Sequence, residues 1–415
     1  MESESDSSPT AASLPLSAAT LVPAETHPQQ SPNRRGPPPP CHAFGVAIVC
    51  ALPIEATAVT TLFEETWDDA ALAKAPTDTN AYSVGAIGAH HVVLVHLPGM
   101  GKVASATGAG NLRSSFPRLS LVLLVGICGG APKVSAKKAD ELLLGDVVVS
   151  TGVVQYDLGR RFPGRFVRKD TPHDNLSRLS LEASALLAKL QAEPGRGKLS
   201  SSVAVHLETI QQRLGAQVAY PGRTEDKLFK PGYLHKHREA AECPVCAEKM
   251  DAVCDQTFEK SCDELGCGQQ ESALESRLRP ERVSRPVVHF GLVASGDTVM
   301  RSGSDRDAIA GRDGVIAFEM EGAGMWEILR SCSCLIVKSI CDYADSHKNK
   351  KFQAYAAAVA AATAKALLES WDVCTLRVIL ARSVLEYADI WAKAYRIPCC
   401  LGVPTNFLSG RSRRL

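Results

Sequence analysis

Short apolar runs rich in β-branched residues recur along the middle of the chain and alternate with stretches of helical spacing. The first run, Gly45 to Leu52, reads GVAIVCAL, and a second covers Leu121 to Val125. Apolar runs of this length are typical of strands buried on both faces, and alternation with helices predicts an α/β fold, a central sheet covered on both faces. Further strands are predicted at 81–87, 91–97, 146–154, 289–294, 315–319 and 334–340, with helices at 54–63, 102–116, 322–330 and 352–369.

Changes in composition divide the 415 residues into three parts. Residues 1–42 are rich in Ser, Thr, Ala and Pro and bury too little apolar surface to offset the entropy of ordering, so we expect a disordered arm. Residues 43–372 form the predicted domain, and within it residues 160–285 are polar and basic and predict an insertion or lid. Residues 373–415 predict one amphipathic helix, because apolar residues recur there at helical spacing: Leu380, Val384, Tyr387, Trp391 and Tyr395.

Composition points to a small-molecule partner. The formal net charge is +1, which provides no field toward nucleic acid or an anionic membrane. No apolar run approaches the roughly 20 residues of a membrane span. The acidic start, Met1 to Asp6, lacks the features of a secretory signal, so we expect an intracellular, cytoplasmic protein.

Carboxylates follow three of the predicted strands. Glu55 lies just beyond the first strand, Glu319 and Glu321 end the strand at 315–319, and Asp342 follows the next one. Strand ends of an α/β sheet commonly build the functional site, and alternation sends Glu319 and Glu321 to the same face. Solvated strand ends or acids in the first turn of a helix are the alternative.

A glycine turn, Pro98 to Ala104, has the form G-x-G-x-x-A. A dinucleotide site also needs an acid about 20 residues later, at the end of the next strand, and this chain has Val125-Gly126-Ile127-Cys128 there. We therefore expect no such cofactor. The backbone at Gly99, Gly101 and Lys102 could still approach an anion closely.

Five of the 14 cysteines lie between residues 160 and 285. Cys243 and Cys246 have the C-x-x-C spacing of half a zinc site, and His235 and His237 precede them, but no second C-x-x-C pair follows. Free thiols are the favoured interpretation, and a structural zinc at Cys243 and Cys246 is the alternative.

Seven stretches together resemble, in the same order, the signatures of the purine and uridine phosphorylase superfamily. The nearest branch resembles methylthioadenosine/S-adenosylhomocysteine nucleosidase, and Gly152 to Gly159 and Ile340 to Lys350 resemble fungal nucleoside-phosphorylase-like domains often attached to ankyrin or NTPase modules. The seven stretches are 46–55, 99–110, 125–130, 144–150, 294–297, 318–322 and 339–345.

The resemblance implies a three-layer αβα sandwich around a twisted mixed sheet, and a homo-oligomer. It assigns Glu55 to the attacking water, Glu321 to the ribose hydroxyls and Asp342 to protonation of a departing purine, with Met320 beneath the ribose. The other candidate nucleoside contacts are Glu319, Cys128, Gly129, Val299 and Met300.

Two departures from the family pattern bear on the reaction. The arginines that hold phosphate in phosphorylases are missing from the segment Ala51 to Glu55 and from the position held by Leu124 or Val125, so water is the expected nucleophile. Thr298-Val299-Met300 stands where the nucleosidases have an aromatic residue, which leaves the base open. The alternatives are a phosphorylase with phosphate as co-substrate, or a nucleoside sensor with little turnover.

Overall fold

The computed structural model describes residues 33–34, 36–132, 141–171, 173–176, 178–238, 243–248, 251–268, 273–275 and 285–371. Most of the arm expected at 1–42 and the helix expected at 373–415 lie outside the described residues. Twelve strands and eight α-helices are present in the described part of the chain. The strands are β1 Asn33–Arg34, β2 Val46–Cys50, β3 Glu65–Thr66, β4 Ala81–Ile87, β5 His90–His96, β6 Leu121–Gly130, β7 Val147–Gln155, β8 Gly159–Phe162, β9 Arg165–Arg168, β10 Val288–Ser295, β11 Val315–Glu319 and β12 Ser333–Asp342. The helices are α1 Pro53–Thr60, α2 Lys102–Ser115, α3 Leu181–Gln191, α4 Glu193–Leu214, α5 Pro244–Glu248, α6 Gly303–Asp313, α7 Gly322–Ile328 and α8 Gln353–Leu368.

One mixed sheet contains ten of the strands, in the order β1-β3-β4-β5-β2-β6-β11-β10-β7-β12. Strand β6 is its centre: it pairs in parallel with β2 and β12, and its last two residues pair antiparallel with β11. Because β12 also pairs with β7, the five strands from β6 to β12 close on themselves. The closure brings the ends of β6, β11 and β12 together.

Helices cover both faces of this sheet, which confirms the predicted αβα sandwich. Helix α8 packs on β6 and β12 and against α1 and α4, while α2 packs against α7. Alanines fill most of α8, and the helix is buried almost all round, as expected of a helix that is apolar on every face. No helix among the described residues has the length and apolar character needed to cross a membrane.

The predicted elements match these, with two informative differences. Strand β6 runs to Gly130, five residues beyond the predicted Val125, because its glycines obscure the apolar pattern. Part of the predicted insertion at 160–285 belongs to the main core, since α4 buries Leu199, Val203 and Ile210 against it. A small separate apolar cluster is formed by Phe229, Leu265, Cys267 and Ala273.

Candidate active site

One pocket of about 210 Å³ lies where β6, β11 and β12 end beside the start of α1. All nine predicted catalytic and nucleoside-contacting residues line it, together with two lysines that the sequence reasoning did not assign to the site, Lys338 and Lys348. The nine are Glu55, Cys128, Gly129, Val299, Met300, Glu319, Met320, Glu321 and Asp342.

Glu55 is buried and held in one position by the backbone. Its Oε2 accepts hydrogen bonds from the N–H groups of Ala51 and Leu52, both at 2.9 Å, and its Oε1 accepts one from Ile127 at 2.8 Å. Gly126 makes this possible, because a Cβ there would lie 2.0 Å from Glu55 Oε1. A carboxylate offers about four lone-pair positions, so three amides leave about one for a further donor.

Lys338 is the buried cation between the carboxylates. Its Nζ donates to Glu321 Oε2 at 3.1 Å and lies 3.8 Å from Glu55 Oε1. Burial lowers the pKa of Lys338, but the charges of Glu321, Glu55 and Glu319 raise it by more, and the net direction is upward. The ammonium is therefore charged at neutral pH and lies between the carboxyl groups of Glu321 and Glu55.

Glu319 is a carboxyl of the pocket whose pKa is displaced. Burial, followed by the negative charge of Glu321, raises its pKa to about 7, while Lys338 and hydrogen bonds oppose the shift. Its oxygens accept hydrogen bonds from the amides of Glu321 and Gly322 at the start of α7, at 2.9 to 3.0 Å. Glu319 thus supports the turn that presents Glu321.

Asp342 is buried and paired with a lysine. Lys348 Nζ lies 2.9 Å from its Oδ2, and the Ala344 amide donates to its Oδ1 at 2.8 Å. Burial lowers the pKa of Lys348, but Asp342 and Cys341 together raise it, and the net direction is upward. Ala344 holds a left-handed backbone conformation, with φ 51°. The pair holds a proton on Lys348, one hydrogen bond away from Asp342.

Neutral side chains form the rest of the pocket wall. Burial raises the pKa of the Cys128 and Cys341 thiols, which keeps both protonated. Cys341 Sγ donates to Asp342 Oδ2 at 3.3 Å. Phe318 is the aromatic ring among the described lining residues, and Tyr156 packs against it edge-on at 5.8 Å.

The glycine turn is bound to carboxylates of its own chain. The Lys102 amide donates to Asp297 Oδ1 at 2.8 Å, and the Gly101 amide to Glu321 Oε1 at 3.4 Å. Lys102 Nζ lies 2.6 Å from Asp157 Oδ2. Met100 lines the pocket, while Gly99, Gly101 and Lys102 are not among the residues that line it. Gly101 has a φ of 107°, which explains the glycine.

The two cysteines considered for zinc lie outside this pocket. Cys243 and Cys246 are brought together with His237 and Cys254, residues that the C-x-x-C spacing alone does not identify.

One of the two pocket lysines could have been assigned to the site from the sequence. Lys338 interrupts the otherwise apolar run Cys334 to Ile340, and a lysine is rarely buried without a charged partner. Lys348 has no such signal, because a lysine in a polar loop is ordinary.

Several known proteins are similar to this chain. Among solved structures, the chain is similar to 5′-methylthioadenosine/S-adenosylhomocysteine nucleosidase from Neisseria meningitidis, with 17% identity, a TM-score of 0.46, and coverage of 79% of this chain and 99% of that one. It is also similar to futalosine hydrolase of Helicobacter pylori, with 17% identity, a TM-score of 0.47 and the same coverage.

A sequence relative extends the comparison to a much longer protein. The chain is 30% identical over 331 residues to a nucleotide-binding leucine-rich repeat (NLR)-like protein of Hyaloscypha variabilis. The match covers 78% of this chain and 29% of that protein's length. The profile of the phosphorylase superfamily matches residues 45–370, so the resemblance is confirmed and the chain belongs to the phosphorylase superfamily.

Proposed function

We propose that the protein hydrolyses the N-glycosidic bond of a nucleoside, with a purine as the departing base. The observation that carries this proposal is the pairing of three acids with two lysines in one pocket: Glu55 and Glu321 with Lys338, and Asp342 with Lys348. Glycosidic cleavage needs negative charge near the sugar and a proton for the leaving base, and these two pairs supply them.

The sugar end of the pocket is anionic. Glycosidic cleavage passes through an oxocarbenium-like state, and ionised Glu321 stabilises its positive charge. Glu55 has one lone-pair position left after its three backbone hydrogen bonds, and in this proposal a water molecule occupies it and is oriented toward the anomeric carbon.

The base end is the Asp342–Lys348 pair. As the bond breaks, negative charge develops on the base, and a proton passes to it from the pair through Asp342. Phe318, Met300 and Val299 give the apolar surface against which a flat base packs.

Water is preferred to phosphate because the candidate anion turn is already occupied. Asp297, Asp157 and Glu321 take its amides and its lysine, and a phosphate would have to displace them. None of the described residues that line the pocket is an arginine, the side chain best suited to bidentate phosphate binding.

The test is a panel of purine and pyrimidine nucleosides incubated with the protein, with and without phosphate. Base release and the sugar product are followed by chromatography and mass spectrometry. We expect free ribose, or its 5′-substituted form, at a rate independent of phosphate. Ribose 1-phosphate formed only with phosphate would establish phosphorolysis instead.

Similarity to an NLR-like protein favours a second candidate, a nucleoside-binding sensor with little turnover. The same panel separates the two. Saturable nucleoside binding by calorimetry, with no base released over many hours, supports the sensor and contradicts the hydrolase.

A further inference from the structure

Two clusters of cysteine and histidine side chains lie in the part of the chain between α4 and β10, outside the pocket. The first contains His237, Cys243, Cys246 and Cys254, and the second contains His235, Cys262 and Cys267. Within each cluster all the potential ligand atoms lie within 4.8 Å of one another. Seven such side chains from a short, polar stretch are therefore sorted into two compact groups.

The distances in the first cluster match a tetrahedral zinc site. Zinc bonds of about 2.3 Å to sulfur and 2.0 Å to nitrogen place a nitrogen and a sulfur ligand about 3.5 Å apart in a tetrahedron. His237 Nδ1 lies 3.7 Å from Cys246 Sγ and 3.5 Å from Cys254 Sγ. Three thiolates exceed the charge of Zn²⁺ by one. With zinc on Nδ1 the hydrogen of His237 is on Nε2, so Lys260 Nζ, 3.1 Å from Nε2, has to turn away when the ion binds.

The second cluster has the same spacing and a defined histidine tautomer. His235 Nδ1 lies 3.6 Å from Cys262 Sγ and 3.5 Å from Cys267 Sγ. Its Nε2 lies 3.1 and 3.0 Å from the carbonyl oxygens of Thr257 and Lys260, so Nε2 carries the hydrogen. Nδ1 therefore presents a lone pair to the two sulfurs, as a second-shell carbonyl arranges for metal-bound histidines.

A fourth group for this second cluster comes from the loop beyond Asp342. The His347 ring packs edge-on to His235, with centroids 5.5 Å apart, although its nitrogens are not among the atoms of the cluster that lie within 4.8 Å of one another. Both ring nitrogens of His347 are buried and have no hydrogen-bond partner among the described residues. Nδ1 lies 3.8 Å from Asp345 Oδ1, too far for a hydrogen bond, and a buried imidazole without hydrogen-bond partners is costly unless it binds something.

We propose that this region binds two zinc ions, one at His237, Cys243, Cys246 and Cys254, and one at His235, Cys262, Cys267 and His347. Each set supplies four ligands and leaves no open position, which is the arrangement of a structural rather than a catalytic zinc. The second ion joins the region between α4 and β10 to the loop that carries Lys348, next to His347.

The test is the zinc content of the purified full chain by inductively coupled plasma mass spectrometry. We expect two zinc ions per chain. Cys243→Ser and Cys267→Ser should each remove one of them. The matched control is Cys332→Ser, because the Cys332 thiol donates to the Leu329 carbonyl outside both clusters, and this variant should keep both ions.

A second measurement tests the proposal even if the cysteine variants do not fold. In the wild-type chain, Co²⁺ exchanged for zinc should give the visible absorption bands of tetrahedral cobalt with thiolate charge transfer. His347→Ala should leave the first zinc in place and make the second removable by a weak chelator.

Three results would overturn the proposal. They are a chain without zinc whose Co²⁺ form lacks thiolate bands, a chain with a single zinc ion, and equal loss of zinc in Cys332→Ser and the two cluster variants.

Discussion

At the scale of single residues, Lys338 is the side chain on which the site depends most. It is buried between Glu321 and Glu55, so Lys338→Met leaves two buried carboxylates without their cation. Breaking a buried ion pair in this way costs about 3 to 5 kcal/mol. We expect urea unfolding to show a stability loss of this size, and the rate of base release to fall about 100-fold or more.

Lys365→Met is the matched control, since Lys365 pairs with the partly exposed Glu64 at the surface. Pairs of that kind contribute about 0 to 1 kcal/mol. Equal stability losses in the two variants would show that Lys338 has no special role.

Glu55 and Asp342 are tested by nearly isosteric substitutions. Glu55→Gln removes the negative charge at the proposed water site, and Asp342→Asn removes the acceptor of the Lys348 proton. Loss of one acid or base group typically lowers a rate by about 10² to 10⁴. We expect base release to fall in this range for both variants, with circular dichroism unchanged.

Glu327→Gln makes the same chemical change on α7, at a partly exposed glutamate that pairs with Arg330. It should retain the wild-type rate. Wild-type rates in Glu55→Gln and Asp342→Asn would remove both residues from the mechanism.

Glu319 gives a pH dependence of stability. Its pKa is raised from 4.5 to about 7 in the folded protein, so the folded state holds the proton more tightly than the unfolded state. The contribution of this carboxyl to the free energy of unfolding is fully present below pH 4.5 and is lost as the pH rises through 7. At 1.36 kcal/mol per unit, the loss is about 3 kcal/mol.

Glu319→Gln cannot ionise and should lack this loss. The free energy of unfolding of wild type minus that of Glu319→Gln should therefore fall between pH 4.5 and 7.5, measured by urea unfolding. A difference that is constant with pH would contradict the displaced pKa.

At the scale of elements, the sequence indicates the strands well and the helices of the 160–285 segment poorly. Strand β11 matches its predicted bounds, because a short apolar run ending in acids is a clear pattern. In α4, glycine and proline near the start and polar residues throughout conceal the stripe formed by Leu199, Val203 and Ile210. The start of β6 at Leu121 matches the prediction, but its last five residues were missed because glycines carry no apolar signal, and these residues supply Gly129 to the pocket.

Two valines of α4 test whether this helix is part of the core. Val203 is 1% exposed and Val205 is 59% exposed. Val203→Ala should cost about 2 kcal/mol through lost apolar burial and the remaining cavity, and Val205→Ala less than about 0.5 kcal/mol. Chemical denaturation measures both. Equal effects would mean that α4 does not pack on the core as described.

At the scale of the whole molecule, the site draws on distant parts of the chain. The acids at the strand ends predict that β2, β11 and β12 deliver carboxylates to one edge of the sheet, and the pocket brings those carboxylates together. The lysines that pair with the acids could not be assigned in the same way, because pairing depends on how β12 and the following loop approach the acids in space. The fourth ligand of the second proposed zinc site could not be predicted for the same reason. His347 is 80 residues from Cys267, and no local spacing pattern reveals a ligand at that separation.

The last prediction concerns removal of zinc, and it rests on the two proposed sites. A ligand that binds only the folded state stabilises it by about 4 kcal/mol at 1,000 times its dissociation constant, so chelation should lower the melting temperature, on the order of 5 °C. The effect should also be local. His347 precedes Lys348, and the Ser346 hydroxyl accepts a hydrogen bond from the His235 amide at 3.0 Å, so loss of the second ion should loosen the loop that holds Lys348 against Asp342. Hydrogen exchange should accelerate in residues 228–268 and 343–349 after chelation, stay unchanged in β2, and recover when Zn²⁺ is restored. Acceleration of β2 to the same extent would instead indicate global unfolding, and unchanged exchange in 343–349 would show that the loop does not depend on the ion.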